Sequence, residues 1–140
     1  MPIQDLAREH VISASTDTPV PELARQMRDE TVGSVVITDS GSPVGIVTDR
    51  DLTTRVVAEG TDSTALTAAD VMTKDLCTVT PDAGFYEAAE VMSDNGIRRL
   101  PVCSEDDELV GIITADDLTE LLADENEQLA SVIQAQRPSY

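Results

Sequence analysis

The sequence predicts an α+β fold: two tandem β-α-β-β-α repeats packed sheet to sheet. Three observations carry this reading. The stretch Val44-Gly-Ile-Val-Thr-Asp-Arg-Asp-Leu52 returns as Val110-Gly-Ile-Ile-Thr-Ala-Asp-Asp-Leu118, identical at six of nine positions. Its surroundings recur too: Glu22, Met27 and Asp29 reappear as Glu87, Met92 and Asp94, a constant 65 residues later. Finally, a hairpin and a parallel crossover on one small sheet leave one face bare, and packing two such sheets face to face buries both.

The elements follow in chain order. The first ten residues form a lead-in, because Asp5-Leu6 recurs as Asp70-Val71. Val11-Ile12 reads as a short strand, matched by Leu76-Cys77. A helix follows in each half. Thr18 can cap the first, and Pro19 and Pro21 fall in its first turn, where a missing N–H costs little. Leu23, Ala24 and Met27 form its apolar face, with Ala88, Ala89 and Met92 as counterparts. Gly33 is expected to end the first helix and Gly96 the second. Ser34-Val-Val-Ile37 and Arg99-Leu-Pro-Val102 have strand length, and Pro101 places the second at a sheet edge or a strand end. Turn residues Asp39–Pro43 and Ser104–Glu108 lead into the two copies of the opening motif. Each copy runs a β-branched strand directly into a helix start. The helix after the first copy is expected to end near Gly60, and Thr61–Thr64 is a short linker. The boundaries are thus 1–62 for the first repeat, 63–122 for the second and 123–140 for a C-terminal helical extension. In that extension Leu129, Val132 and Ile133 make an apolar patch suited either to a neighbouring surface within the fold or to a second subunit.

Composition narrows the functional classes. The 140 residues carry 27 acids against nine bases, a net charge of −18, and Lys74 is the single lysine. Such a surface repels nucleic acid and anionic membranes, so neither is an expected partner. The acids are spread along the chain, in the manner of cytosolic proteins from salt-accumulating halophiles; an acidic mesophilic protein is the alternative. Cys77, Cys103 and the lone His10 form no metal-ligand spacing and no disulfide framework. With no signal peptide and no apolar run of about 20 residues, a cytoplasmic location is expected. A nucleophile–base pair and a phosphate loop are both lacking, which argues against an enzyme.

The strand-to-helix corner in each motif offers a hydroxyl, a carboxylate and free backbone N–H groups at one point, as ligands rich in hydroxyls and phosphates require. The same residues, Thr48-x-x-Asp51 and Thr114-x-x-Asp117, also fit a capping box with Asp in place of Glu. Both readings remain open on the residues alone.

With its two motif copies, Val32-Gly-Ser-Val-Val-Ile37, Gly96-Ile-Arg-Arg-Leu-Pro-Val102 and Asp70-Val-Met-Thr73, the chain resembles a tandem pair of cystathionine-β-synthase (CBS) domains, the Bateman module. The resemblance covers roughly residues 5 to 122. It implies a pseudo-twofold pair with two clefts, which in the family commonly bind AMP, ADP, ATP or S-adenosylmethionine as regulatory ligands, with no cofactor. By that resemblance, Asp51 and Asp117 hold ribose hydroxyls beside Thr48 and Thr114. The sites are crossed, so Asp51 shares its cleft with Ile97, Arg98 and Arg99, while Asp117 faces Gly33 and Ser34. Two adjacent guanidiniums suit phosphate; Gly33 and Ser34 suit a neutral or less charged ligand. Arg98 and Arg99 could equally pair with surface carboxylates. The resemblance also implies a homodimer acting on a further protein partner. A dimerisation module with no nucleotide ligand is the competing function.

Charge alone makes a prediction. At molar salt the Debye length falls to about 3 Å, which screens the mutual repulsion of the carboxylates. The thermal midpoint should therefore rise from dilute buffer to molar KCl, and a flat midpoint would refute a halophilic adaptation.

Overall fold

The computed structural model describes residues 2–138; residues 1, 139 and 140, which the boundaries above include, lie outside the described residues. The elements are β1 (Ser13–Ser15), α1 (Val20–Glu30), β2 (Ser34–Asp39), β3 (Ser42–Thr48), α2 (Asp49–Leu52), α3 (Ala68–Val71), α4 (Phe85–Asn95), β4 (Arg99–Cys103), β5 (Leu109–Thr114) and α5 (Ala115–Ala135). The fold is α+β and built from two repeats. In the first sheet β1 runs parallel to β2, which pairs antiparallel with β3. In the second, β4 and β5 form an antiparallel pair.

Differences from the sequence expectation have physical causes. The first strand lies at Ser13–Ser15, two residues beyond Val11-Ile12. Leu76-Cys77 forms no strand; its half keeps only a parallel bridge between Val79 and Val102. Pro101 explains why. In the first half Val36 N–H donates to Ile12 C=O at 3.0 Å. The residue 65 places on from Val36 is Pro101, which has no N–H to offer Cys77. Only Val79 N–H to Pro101 C=O (3.1 Å) and Cys103 N–H to Val79 C=O (2.9 Å) survive. Pro101 thus stands where a missing donor is tolerated, at the outer side of β4.

Helix ends follow one rule. Thr31 (φ 55°) and Gly96 (φ 62°) adopt the left-handed conformation that closes α1 and α4. One residue later, Val32 and Ile97 donate to Met27 and Met92 C=O, each at 3.0 Å, the pattern of a Schellman motif. Gly96 therefore ends its helix as expected, whereas Thr31 takes the role assigned to Gly33. Pro19 occupies the N-cap of α1, not Thr18, whose Oγ1 instead accepts from Ser15 N–H at 3.2 Å. Ala24 is exposed, and the buried face of α1 is Val20, Leu23 and Met27. After α2 the helix widens into a π turn, Thr53–Val57, and the chain reverses near Gly60 (φ 65°). The expected linker partly forms a 3-10 turn, Ser63–Ala65, capped by Asp62.

Two cores form, and each borrows from the other half. Leu23, Met27, Val35, Ile37 and Val47 of the first half enclose Ala68 and Val71 of α3. Ala88, Met92, Leu100 and Ile113 of the second enclose Ile3 from the lead-in. The exchange is reciprocal at the 65-residue offset: Ile3 N–H donates to Ala83 C=O at 2.8 Å, and Ala68 N–H to Thr18 C=O at 2.9 Å. These matched pairs are the pseudo-twofold symmetry in local form. Along β2, Val35 and Ile37 face the helices while Val36 points to the opposite face, yet Val36 is buried. Its counterpart Pro101 is fully buried too, so the faces turned away from the helices are covered where the halves meet. The hairpin tips also join, through Ser42 Oγ donating to Asp107 Oδ2 (2.8 Å) and Leu109 N–H to Gly41 C=O (3.1 Å).

The motif glycines have a specific task. Arg8 pairs with Ile112, and Thr73 with Ile46, so each lead-in crosses directly over a motif strand. A Cβ on Gly45 would lie 2.5 Å from Met72 Sδ and 3.1 Å from Thr73 O; one on Gly111 would lie 3.2 Å from Arg8 O. Overpacking typically costs about 1–3 kcal/mol. Denaturant titration should show Gly45→Ala losing stability in that range and Gly111→Ala losing less. Equal stability of Gly45→Ala and wild type would disprove the crossing as a packing constraint.

Candidate functional site

Crossing the lead-ins over the motif strands creates two clefts, each lined by both halves. The first, of about 430 Å³, is lined by Thr48, Asp49, Arg50 and Asp51 from one half and by Lys74–Cys77 and Ile97–Arg99 from the other. It brings together all five residues expected to share a site: Thr48, Asp51, Ile97, Arg98 and Arg99. Four cationic side chains (Arg50, Lys74, Arg98, Arg99) meet three carboxylates (Asp49, Asp51, Asp75), an unusual balance in a chain of −18. Lys74 was legible only as the single lysine. Its placement comes from Thr73, whose backbone pairing with Ile46 delivers the next residue to the cleft.

Asp51 is held in a fixed orientation. Its Oδ2 accepts from Thr48 N–H at 2.9 Å, while its own N–H donates to Thr48 Oγ1 at 3.1 Å. The capping box is therefore real, and it fixes one carboxylate oxygen. The other, Oδ1, lies 3.8 Å from Arg55 Nε, beyond a hydrogen bond. Arg55 is held back because its Nη1 donates to Val71 C=O (2.9 Å) and Met72 C=O (3.1 Å). Asp51 keeps an oxygen for two further donors with its side chain only 14% exposed.

The arginine pair divides. Arg98 Nη2 bonds Asp116 Oδ1 at 3.1 Å, as the salt-bridge reading of that pair expects, and both side chains are largely exposed. Such surface pairs are worth about 0–1 kcal/mol and exchange readily for a better anion. Arg99 forms no ion pair among the described residues and lines both clefts. A Cβ on Gly33 would lie 3.0 Å from Arg99 Nη2 and 3.3 Å from Asp49 Oδ2, so glycine leaves room for this guanidinium.

The second cleft, of about 460 Å³, gathers Gly33, Ser34 and Thr114 with Arg8, His10, Glu30, Arg99 and Asp116. Gly33, Ser34 and Thr114 meet as expected, whereas Asp117, expected with them, does not line the cleft; Arg8 and Arg99 add positive charge that Gly33 and Ser34 alone do not suggest. Asp117 repeats the cap, with Oδ2 accepting from Thr114 N–H at 3.0 Å and its N–H donating to Thr114 Oγ1 at 3.2 Å. Its Oδ1, however, accepts from Arg8 Nη2 at 3.2 Å. Sequence reasoning missed Arg8, because its place beside Gly111 of the opposite motif is set by the fold.

Both cysteines are free thiols. Cys103 is buried, and burial first, then the charge of Asp107, pushes its thiol pKa up. Half-buried Cys77 lines the first cleft. Among the described residues no group of three or more His, Cys, Asp or Glu could hold a metal ion.

Fold and site together define a two-repeat module with paired, inward-facing clefts made from crossed halves. The chain belongs to the CBS domain family, whose model matches residues 3–58 and 68–124. An uncharacterized protein of Methanopyrus kandleri is 38% identical over 120 residues, which span 85% of this chain and 61% of the relative. The CBS domain-containing protein YhcV of Bacillus subtilis is 30% identical over 83% of this chain and 81% of its own length. Among solved structures, the CBS domain pair of protein MJ0100 in complex with 5′-methylthioadenosine and S-adenosyl-L-methionine superposes with a TM-score of 0.81. Its identity is 25% over 89% of this chain and 98% of that one.

Proposed function

We propose that the chain is a regulatory ligand-sensing module that binds an adenosine-containing ligand in the first cleft. The observation that carries this is Asp51: one oxygen fixed by the cap, the other without a hydrogen bond among the described residues and 3.8 Å from Arg55 Nε, inside a cavity with four cationic side chains. A carboxylate oxygen with two open lone pairs suits the adjacent hydroxyls of a ribose. Arg98 and Arg99, aided by Lys74, suit its phosphate, and Ile97 offers an apolar contact for the base. Thr48 acts by orienting Asp51. The complex of MJ0100 with two adenosine-containing compounds supports this ligand class. Thr114, Gly33 and Ser34 make the second cleft a weaker candidate for the same class.

Binding should divide into separable parts. Asp51→Ala loses the bonds to the ribose, each charge-assisted bond being worth roughly 1.5–3 kcal/mol, so all adenosine ligands weaken together. Replacing Arg98 and Arg99 by Ala should weaken AMP and ATP while sparing adenosine. Calorimetry in molar KCl reads both. If wild type binds no adenosine compound at millimolar concentration, or Asp51→Ala binds as well as wild type, the assignment is wrong.

The module acts, in this reading, as a cytoplasmic homodimer that meets a further protein. No helix among the described residues is long and apolar enough to cross a membrane. From Leu122 onward the described part of α5 is exposed, and Leu129, Val132 and Ile133 are each more than half exposed. A partner helix laid on this face would bury them. Light scattering in molar KCl should return a dimer mass, and Leu129→Glu with Ile133→Glu should convert it to monomer. A monomeric wild type at micromolar concentration would exclude this contact.

A further inference from the structure

The clefts differ at one hydrogen bond, and that bond bears on how many ligands the chain can hold. Asp51 and Asp117 occupy equivalent corners with equivalent caps. Asp51 Oδ1 has no donor within hydrogen-bond distance. Asp117 Oδ1 already has one, Arg8 Nη2 at 3.2 Å, in the place where a ribose hydroxyl would donate. Asp117 is 10% exposed and Arg8 64% exposed, so the guanidinium lies on the solvent side of the carboxylate. In keeping with that, Arg8 lines the second cleft while Asp117 does not.

We propose that Arg8 is an internal occupant of the second cleft, a specificity-determining residue that limits the chain to one nucleoside, held in the first. The proposal rests on the reading that these aspartates take ribose. The sequence offers the matching control. The residue 65 places on from Arg8 is Thr73, which makes the same backbone pairing with Ile46 that Arg8 makes with Ile112. Thr73 is too short to cover Asp51, and the first cleft stays open. Arg8 is held against the cleft by two backbone bonds to Ile112, 2.9 and 3.1 Å long, so only its side chain can withdraw. Exchanging Arg8 for threonine keeps those bonds and gives the second half the first half's residue. A charge-assisted bond to a carboxylate this shielded is harder for a neutral hydroxyl to displace than an exposed ion pair.

The test is the adenosine stoichiometry of the full chain by calorimetry, for wild type, Arg8→Thr, Arg8→Ala and Arg8→Thr with Asp117→Asn. Asparagine keeps an acceptor for the Thr114 cap and removes the charge. The expected result is one adenosine per chain for wild type and two for both Arg8 variants, with the gained site lost again when Asp117 is changed. Two sites in wild type overturn the proposal but leave the ribose reading standing. So does one site in wild type that neither Arg8 variant increases. A site gained on Arg8→Thr and lost with Asp117→Asn upholds the proposal. If no form binds adenosine, both ideas fall.

Discussion

Everything in this fold depends on backbone crossing backbone at a glycine. Thr73 exchanges two hydrogen bonds with Ile46, and Arg8 exchanges two with Ile112. Each pair ties the lead-in of one half to the motif strand of the other, at a close approach that leaves little room for a side chain at Gly45 and less than ordinary contact at Gly111. Neither repeat can close its core alone, because Ile3 completes the second core and Ala68 and Val71 the first. Duplication is thus required by packing. A single repeat would leave an unfilled helix-side core and an uncovered sheet face.

The same crossing builds the clefts. Once Thr73 is fixed on β3, Lys74 has no choice but to enter the space beside Thr48 and Asp51. Once Arg8 is fixed on β5, its side chain falls across Asp117. Identical backbone geometry therefore delivers different chemistry, because the symmetric positions 8 and 73 hold arginine in one half and threonine in the other. Arg99 adds a link between the sites, since it lines both clefts and its symmetric counterpart, Ser34, cannot reach so far.

Much of this was legible in the sequence, and the failures are informative. The 65-residue offset gave the element order and the two hairpins, and the resemblance to the CBS family gave the grouping of Thr48 and Asp51 with residues 97–99. It failed where symmetry is broken by one atom or by a tertiary contact. Pro101 lacks the hydrogen that Val36 donates, so the second sheet is narrower, and only the partner of Val36 reveals that loss. Gly33 looked like a helix terminator but serves instead to leave room for Arg99, while Thr31 takes the left-handed turn. Arg8 could not be found from pattern, because its importance comes from the exchange of lead-ins, a three-dimensional fact. Leu129, Val132 and Ile133 were legible as an apolar face and remain exposed on α5.

The structure shows the cap reading of the Thr-x-x-Asp motif, and the proposed ligand site is compatible with it. A carboxylate has two oxygens, and a capping box uses one of them. Fixing Oδ2 to the Thr48 N–H removes the rotational freedom that a free side chain would lose on binding, so Oδ1 is already aimed when a ligand arrives. The cap also explains why this aspartate can be mostly buried and charged without an ion pair at hydrogen-bond distance: the backbone supplies the compensating donor. In the proposed reading, helix stability and ligand affinity are coupled through one side chain. Removing the carboxylate would loosen the start of α2 and the proposed ribose corner together, whereas removing Arg98 and Arg99 touches no cap. That difference separates structural from functional loss within a single cleft.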